Sequence, residues 1–115
     1  HADTPPGQVT TAMAELATLG LPIHVSEFDV KFGRAGRSPL TLDQKLAIQE
    51  GLAAETAAAF MALPPAQRHA FTVWGARDRD SNLNREQFDG DGTDVPLLFD
   101  DQGQPKPAFW AVADR

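Results

Sequence analysis

Two carboxylates close a short apolar run in Ile23-His24-Val25-Ser26-Glu27-Phe28-Asp29-Val30. Strand side chains alternate with period 2, so Ile23, Val25, Glu27 and Asp29 are expected on one face and His24, Ser26 and Phe28 on the other. A carboxylate on the apolar face of a buried strand is costly to desolvate, so it needs a partner or a chemical role. The competing reading is a strand running out into water, where acids are cheap. The octapeptide alone leaves both open.

A second oxygen-rich stretch raises a metal. Asp78, Asp80, Asn82, Asn84, Glu86 and Asp89 reproduce the ligand spacing of an EF-hand calcium loop. The sixth position, which needs Gly for its sharp turn, is Leu83, and the twelfth is Asp89 in place of a bidentate Glu. The preceding segment is β-branched and aromatic, whereas an EF-hand needs a helix there. Asp89-Gly90-Asp91-Gly92 reads as a turn, and no metal is expected.

Alternating elements must position these groups. Pro5-Pro6-Gly7 opens an expected helix over 8–19, with Val9, Met13, Leu16 and Leu19 on one face. Gly20 ends it, and 21–28 reads as a strand. A polar loop over 31–40 follows. Thr41 and Gln44 match a capping box opening a helix to about Leu63, which should bury Leu42, Leu46, Leu52, Phe60 and Leu63. Pro64-Pro65 stops it. Ala70 to Gly75 reads as a second strand, 76–96 as a long loop, and 108–113 as a final helix containing Trp110. His24 is expected to pack under a helix, and His69 to lie solvated in a connection.

With 115 residues, 42% of them hydrophobic, the chain is expected to be one modest domain or a piece of a larger one. No apolar run approaches the roughly 20 residues that cross a bilayer. A net charge of −6 without a basic stripe argues against nucleic acid or anionic membrane as partner. Cysteine is absent, which excludes thiolate chemistry. The chain opens on His1, without an initiator Met, which suggests a start inside a longer protein.

Alternation of helix, strand, helix, strand, helix argues for parallel strands with crossover helices. Both strand-to-helix loops are long and polar, as on the working face of a (β/α)-barrel. Two strands cannot close a barrel and would leave both edges unpaired. The expected fold is therefore α/β: the C-terminal part of a (β/α)8 TIM barrel, its last two βα units plus the preceding helix.

Three blocks carry a family resemblance. Ser26-Glu27-Phe28-Asp29-Val30 resembles the nucleophile strand of glycoside hydrolase family 10, the endo-β-1,4-xylanases. Phe71-Thr72-Val73-Trp74-Gly75 followed by Asp80-Ser81 resembles that family's eighth strand and loop. Pro96-Leu97-Leu98-Phe99-Asp100 with Lys106-Pro107-Ala108-Phe109 is similar to its closing segment. Residues 1–115 would then be a partial catalytic domain.

The resemblance implies a retaining hydrolysis of β-1,4-xylosidic bonds, without a cofactor. It assigns Glu27 as nucleophile, Asp29 as the carboxylate that orients a histidine, and His1 as that histidine. Trp74 becomes a platform under the sugar. Asn82 stands where the family usually has a second loop tryptophan, so the roof of the sugar site differs here. Arg77 or Arg79 is a candidate for sugar hydroxyls or acidic side groups, against the plainer reading of a solvated ion pair. A retaining glycosidase needs two carboxyl groups roughly 5–5.5 Å apart. The family's acid/base glutamate lies on an earlier strand, absent from this chain, so the isolated 115 residues are expected to be inactive. Xylan or xylooligosaccharide is the implied substrate, the missing N-terminal part of the barrel the implied partner, and a secreted or periplasmic location follows by resemblance. The alternatives are a non-catalytic carbohydrate-binding remnant of the same fold and, behind it, a calcium-loop interaction module.

Overall fold

In the computed structural model, residues 4–32, 40–88, 90 and 92–115 are described. Helix α1 (Gln8–Ala17) starts after Gly7, whose backbone is left-handed at φ 87° and which has no side chain to cap the free amides. Glu55 supplies the cap from elsewhere, accepting from the Gly7 and Thr10 N–H groups at 2.9 and 3.0 Å. The helix ends earlier than expected, at Ala17, because the Thr18 N–H turns onto the Glu15 carbonyl and the Leu19 N–H onto the Leu16 carbonyl, tightening the last turn. Its packed row is consequently Val9, Met13 and Ala17, four residues apart. Leu16 and Leu19, expected in the core, are 49% and 64% exposed.

Helix α2 (Leu42–Ala62) carries the expected capping box, with Thr41 and Gln44 exchanging both hydrogen bonds. Its buried face runs Gln49, Leu52, Ala53, Thr56, Ala57, Phe60, a 3.6-residue stripe. Leu42 shares the phase of that stripe but lies in the first turn, before its buried part begins at Gln49, and is exposed, which corrects its expected burial. Thr56 satisfies its hydroxyl within the helix, on the Leu52 carbonyl at 2.7 Å. Leu63 leaves the helix in an extended conformation, and Pro64-Pro65 prevents its continuation.

Strands β1 (Ile23–Phe28) and β2 (Arg68–Val73) pair in parallel, with α2 as the crossover between them. The pairing contains two irregularities. Ile23 pairs with Arg68 but His24 with Ala70; Val25 pairs with Phe71 but Phe28 with Val73. The second slip advances three residues on β1 against two on β2, which is a bulge. It overturns the simple alternation expected of β1. Val25 and Phe28, though three apart, both pack into the core with Leu52, Ala53, Phe71 and Val73. Ser26 and Glu27 are both left exposed.

The other face is also the reverse of expectation at His24. Its ring is exposed, meets the Thr72 hydroxyl at 2.9 Å and touches the edge of His69, and no helix among the described residues covers it. His69 lies in β2 itself, not in a connection. Helix α3 (Pro107–Ala113) begins with Pro at its first position, where a missing N–H costs nothing. It packs on α2 through Ala108, which has no exposed surface. Trp110 stacks edge-on against Phe109 yet stays 53% exposed, so it packs only in part.

The described residues of the 76–96 loop form three single 3₁₀ turns, Asp78–Asp80, Asn82–Asn84 and Glu86–Phe88. Buried polar contacts hold it to the rest of the chain. Lys106 Nζ donates to both Asp78 oxygens, at 2.9 and 3.0 Å, and to the Val95 carbonyl. Gln49 Nε2 donates to the Val95 and Leu97 carbonyls, and Leu97 N–H donates to Asp78. Asn84 bridges the Asp78 and Asp94 backbones. The closing Lys106-Pro107-Ala108 thus has a physical meaning residue by residue: an ion-pair lock, a helix start and a close-packing contact.

Candidate active site

Parallel pairing brings the C-terminal ends of β1 and β2 to one edge. Phe28 and Val73 share a rung, and Trp74 N–H donates to the Phe28 carbonyl at 3.0 Å. Glu27 precedes that rung on β1 and Trp74 follows it on β2, so the two expected site residues flank the same point. The bulge turns Glu27 outward while Phe28 stays in the core. Trp74 is 46% exposed, an aromatic face held at the sheet's end. Gly75 then turns the chain at φ 127°, where a Cβ would meet the Leu97 side chain at 2.8 Å.

Asp29 does not share Glu27's environment. It is fully buried at the start of the segment leaving β1, where Val30 N–H donates to the Pro96 carbonyl at 3.0 Å. Burial pushes the Asp29 carboxyl above its ordinary value, with Lys31 among the charges that oppose the rise. One carboxylate therefore faces outward, and the other sits inside. His1 lies outside the described residues.

Arg77 forms a bidentate pair with Asp80, Nε to Oδ2 at 2.9 Å and Nη2 to Oδ1 at 3.2 Å. That hydrogen bond raises the Arg77 guanidinium and lowers the Asp80 carboxyl from their ordinary values. The guanidinium is thus committed to Asp80, the plainer of its two sequence readings. Asn82 is half-buried, and its Oδ1 is buried without a protein partner among the described residues. It lines a groove of about 490 Å³ with Trp74, Gly75, Asp80, Arg85 and Gln87. Arg85 and Gln87 escaped sequence reasoning; their spacing from Trp74 is not periodic, and only the folded loop brings them to it.

Three residues of the calcium-like spacing are committed to other bonds. Asp78 points inward to Lys106, Asp80 pairs with Arg77, and Asn84 clamps two backbone segments. Burial pushes the Asp78 carboxyl up against the pull of Lys106, and it pushes Lys106 down against the pull of Asp78. Among the described residues no three acids or histidines converge on one point. Asp89 lies outside them.

A family model described as Glycosyl hydrolase family 10 matches residues 1–115. An endo-beta-1,4-xylanase of Cellvibrio japonicus is 32% identical over 117 residues, taking in 92% of this chain and 19% of that protein. An endo-1,4-beta-xylanase of Geobacillus stearothermophilus is 29% identical over 112 residues, 93% of this chain and 33% of that protein. Among solved structures, a thermostable xylanase mutant from Cellvibrio japonicus matches with a TM-score of 0.77 at 30% identity. The match covers 97% of this chain and 36% of that one. A second Cellvibrio japonicus xylanase, in complex with xylopentaose, matches with a TM-score of 0.71 at 31% identity, over 91% of this chain and 23% of that one. The chain spans about a fifth to a third of the length of these curated relatives. It belongs to glycosyl hydrolase family 10, and its two βα units with the helix before them are the C-terminal part of a (β/α)8 barrel.

Proposed function

We propose that residues 1–115 form the closing part of a retaining endo-β-1,4-xylanase, with Glu27 as its nucleophile. The observation that carries this reading is the bulge in β1, which exposes Glu27 beside Trp74 at the C-terminal end of a parallel pair. Functional groups of (β/α) barrels sit at that end. Glu27 attacks the anomeric carbon of a xylosyl unit, forming a glycosyl ester as the bond to the leaving oxygen breaks. A second carboxyl group protonates that oxygen, and water later cleaves the ester with retention. Trp74 supports the reacting sugar by stacking its indole face on the pyranose C–H groups. Asp29, buried and unable to reach solvent, serves as a positioning group, and His1 is its intended partner.

On this reading the second carboxyl group comes from elsewhere in the barrel. Asp78 is locked to Lys106, Asp80 to Arg77, and Asp29 is buried. The 115 residues alone are therefore expected to show no turnover, and the rest of the barrel is their necessary partner. A polymeric xylan substrate places the working enzyme outside the cytoplasm, secreted or periplasmic. One observation favours a second reading: Asn82 replaces an aromatic roof residue, which suits a carbohydrate-binding remnant that holds sugar without cleaving it.

Turnover of xylan by the full-length protein, compared with its Glu27→Gln variant, separates the two. Loss of kcat by about a thousandfold or more with xylooligosaccharide binding retained supports the nucleophile. Binding without turnover in the unmutated protein supports the remnant.

A further inference from the structure

We propose that the groove beside Trp74 is a subsite for a carboxylate-bearing sugar branch, a hexuronic acid on a xylan backbone, and that Arg85 selects it. The proposal rests on the xylanase reading and deepens it. The groove's volume of about 490 Å³ lies within the range of small-molecule sites and has room for a sugar ring. Trp74 offers it an apolar face, and Asn82 and Gln87 bring amides suited to hydroxyl groups.

The charge pattern points to an anion. The chain as a whole is acidic, at −6, yet the acid lining this groove, Asp80, is turned into a bidentate pair with Arg77. Arg85 is exposed and forms no ion pair among the described residues. Among those residues, the local balance is therefore one neutralised pair plus one unpaired guanidinium. A guanidinium matches a carboxylate bidentately and gains far less from a neutral hydroxyl. Discrimination by branch charge follows from that difference.

The backbone under Arg85 is already fixed, so binding need not order it. Arg85 N–H donates to the Asn82 carbonyl at 3.0 Å, and the Arg85 carbonyl accepts from Gly90 N–H at 2.9 Å. Asn84, next to it, is clamped to Asp78 and Asp94. Such preorganisation lowers the entropic cost of recognition.

The test is calorimetric titration of the full-length Glu27→Gln protein with xylotriose and with xylotriose bearing a glucuronic acid branch. The branched ligand should bind about fivefold tighter at low salt, and the advantage should shrink as ionic strength rises. Arg85→Gln should remove the advantage, bringing the branched ligand to the affinity of xylotriose. Equal affinities, or an advantage that survives Arg85→Gln, would overturn the subsite. If the unmutated protein cleaves xylan while the two ligands bind alike, the subsite falls and the Glu27 reading stands. An Arg85-dependent preference in a protein without turnover supports the subsite and removes the xylanase reading.

Discussion

Lys106→Met breaks a buried ion pair and should be among the most destabilising single changes in the chain. Both side chains of the pair are only 7% exposed. Methionine removes the bonds to Asp78 and leaves its carboxylate buried, with the Leu97 N–H still donating to it. Stranding a buried charge in this way costs about 3–5 kcal/mol. The Val95 carbonyl is not stranded, because Gln49 Nε2 still reaches it at 2.7 Å. Adding Asp78→Asn should recover most of the loss, since asparagine keeps an acceptor for Leu97 N–H without the charge. Urea unfolding of the full-length protein and the three variants gives the cycle, with an expected coupling of about 2 kcal/mol or more. The cost should also depend on pH. Burial raises the Asp78 carboxyl, and a raised folded value means stability is lost as pH climbs from the unfolded value through the folded one. The Lys106→Met penalty should therefore be larger at about pH 8 than at about pH 5. A penalty under about 1 kcal/mol, or additive costs in the double variant, would show that the two groups do not depend on each other in the core.

Two further outcomes follow from the same contacts. Glu55 is lowered from its ordinary value by the Gly7 and Thr10 N–H groups, so its contribution is present above that value and lost as pH falls through the folded one. The urea midpoint difference between Glu55→Gln and the unmutated protein should be largest near neutrality and shrink as the pH falls below the ordinary glutamate value. Gly90→Ala would drive a Cβ into the backbone of Leu83, Asn84 and Arg85, with no flexible side-chain end to yield. It should cost about 1–3 kcal/mol in thermal unfolding and shift the groove wall, weakening ligand binding there.

Periodicity and caps make the order of elements legible in the sequence. The Thr41 capping box, the Pro64-Pro65 stop and Pro107 at a helix start are local signals, and each falls where local chemistry puts it. The faces of β1 are not legible, because a bulge depends on the partner strand's register, which no single strand encodes. Gln49 illustrates a missed signal of another kind. It sits on the apolar stripe of α2, so its phase alone marks a buried amide with a required partner. The lock between Lys106 and Asp78 spans a sequence separation that spacing rules do not reach. Glu27 and Trp74 are legible as candidate site residues through motif resemblance, while Arg85 and Gln87 need the folded loop. The calcium-like spacing shows the converse: ligand-type residues at regular intervals whose side chains point to different partners.

Whether Glu27 is the nucleophile is best decided by trapping it. The full-length protein is incubated with an activated 2-deoxy-2-fluoro xylobioside, digested, and the labelled peptide sequenced by mass spectrometry. One fluoroxylobiosyl ester is expected, on Glu27, and it should be absent from the Glu27→Gln variant. An ester on another carboxylate, or turnover of the activated substrate with inversion, would remove Glu27 from that role.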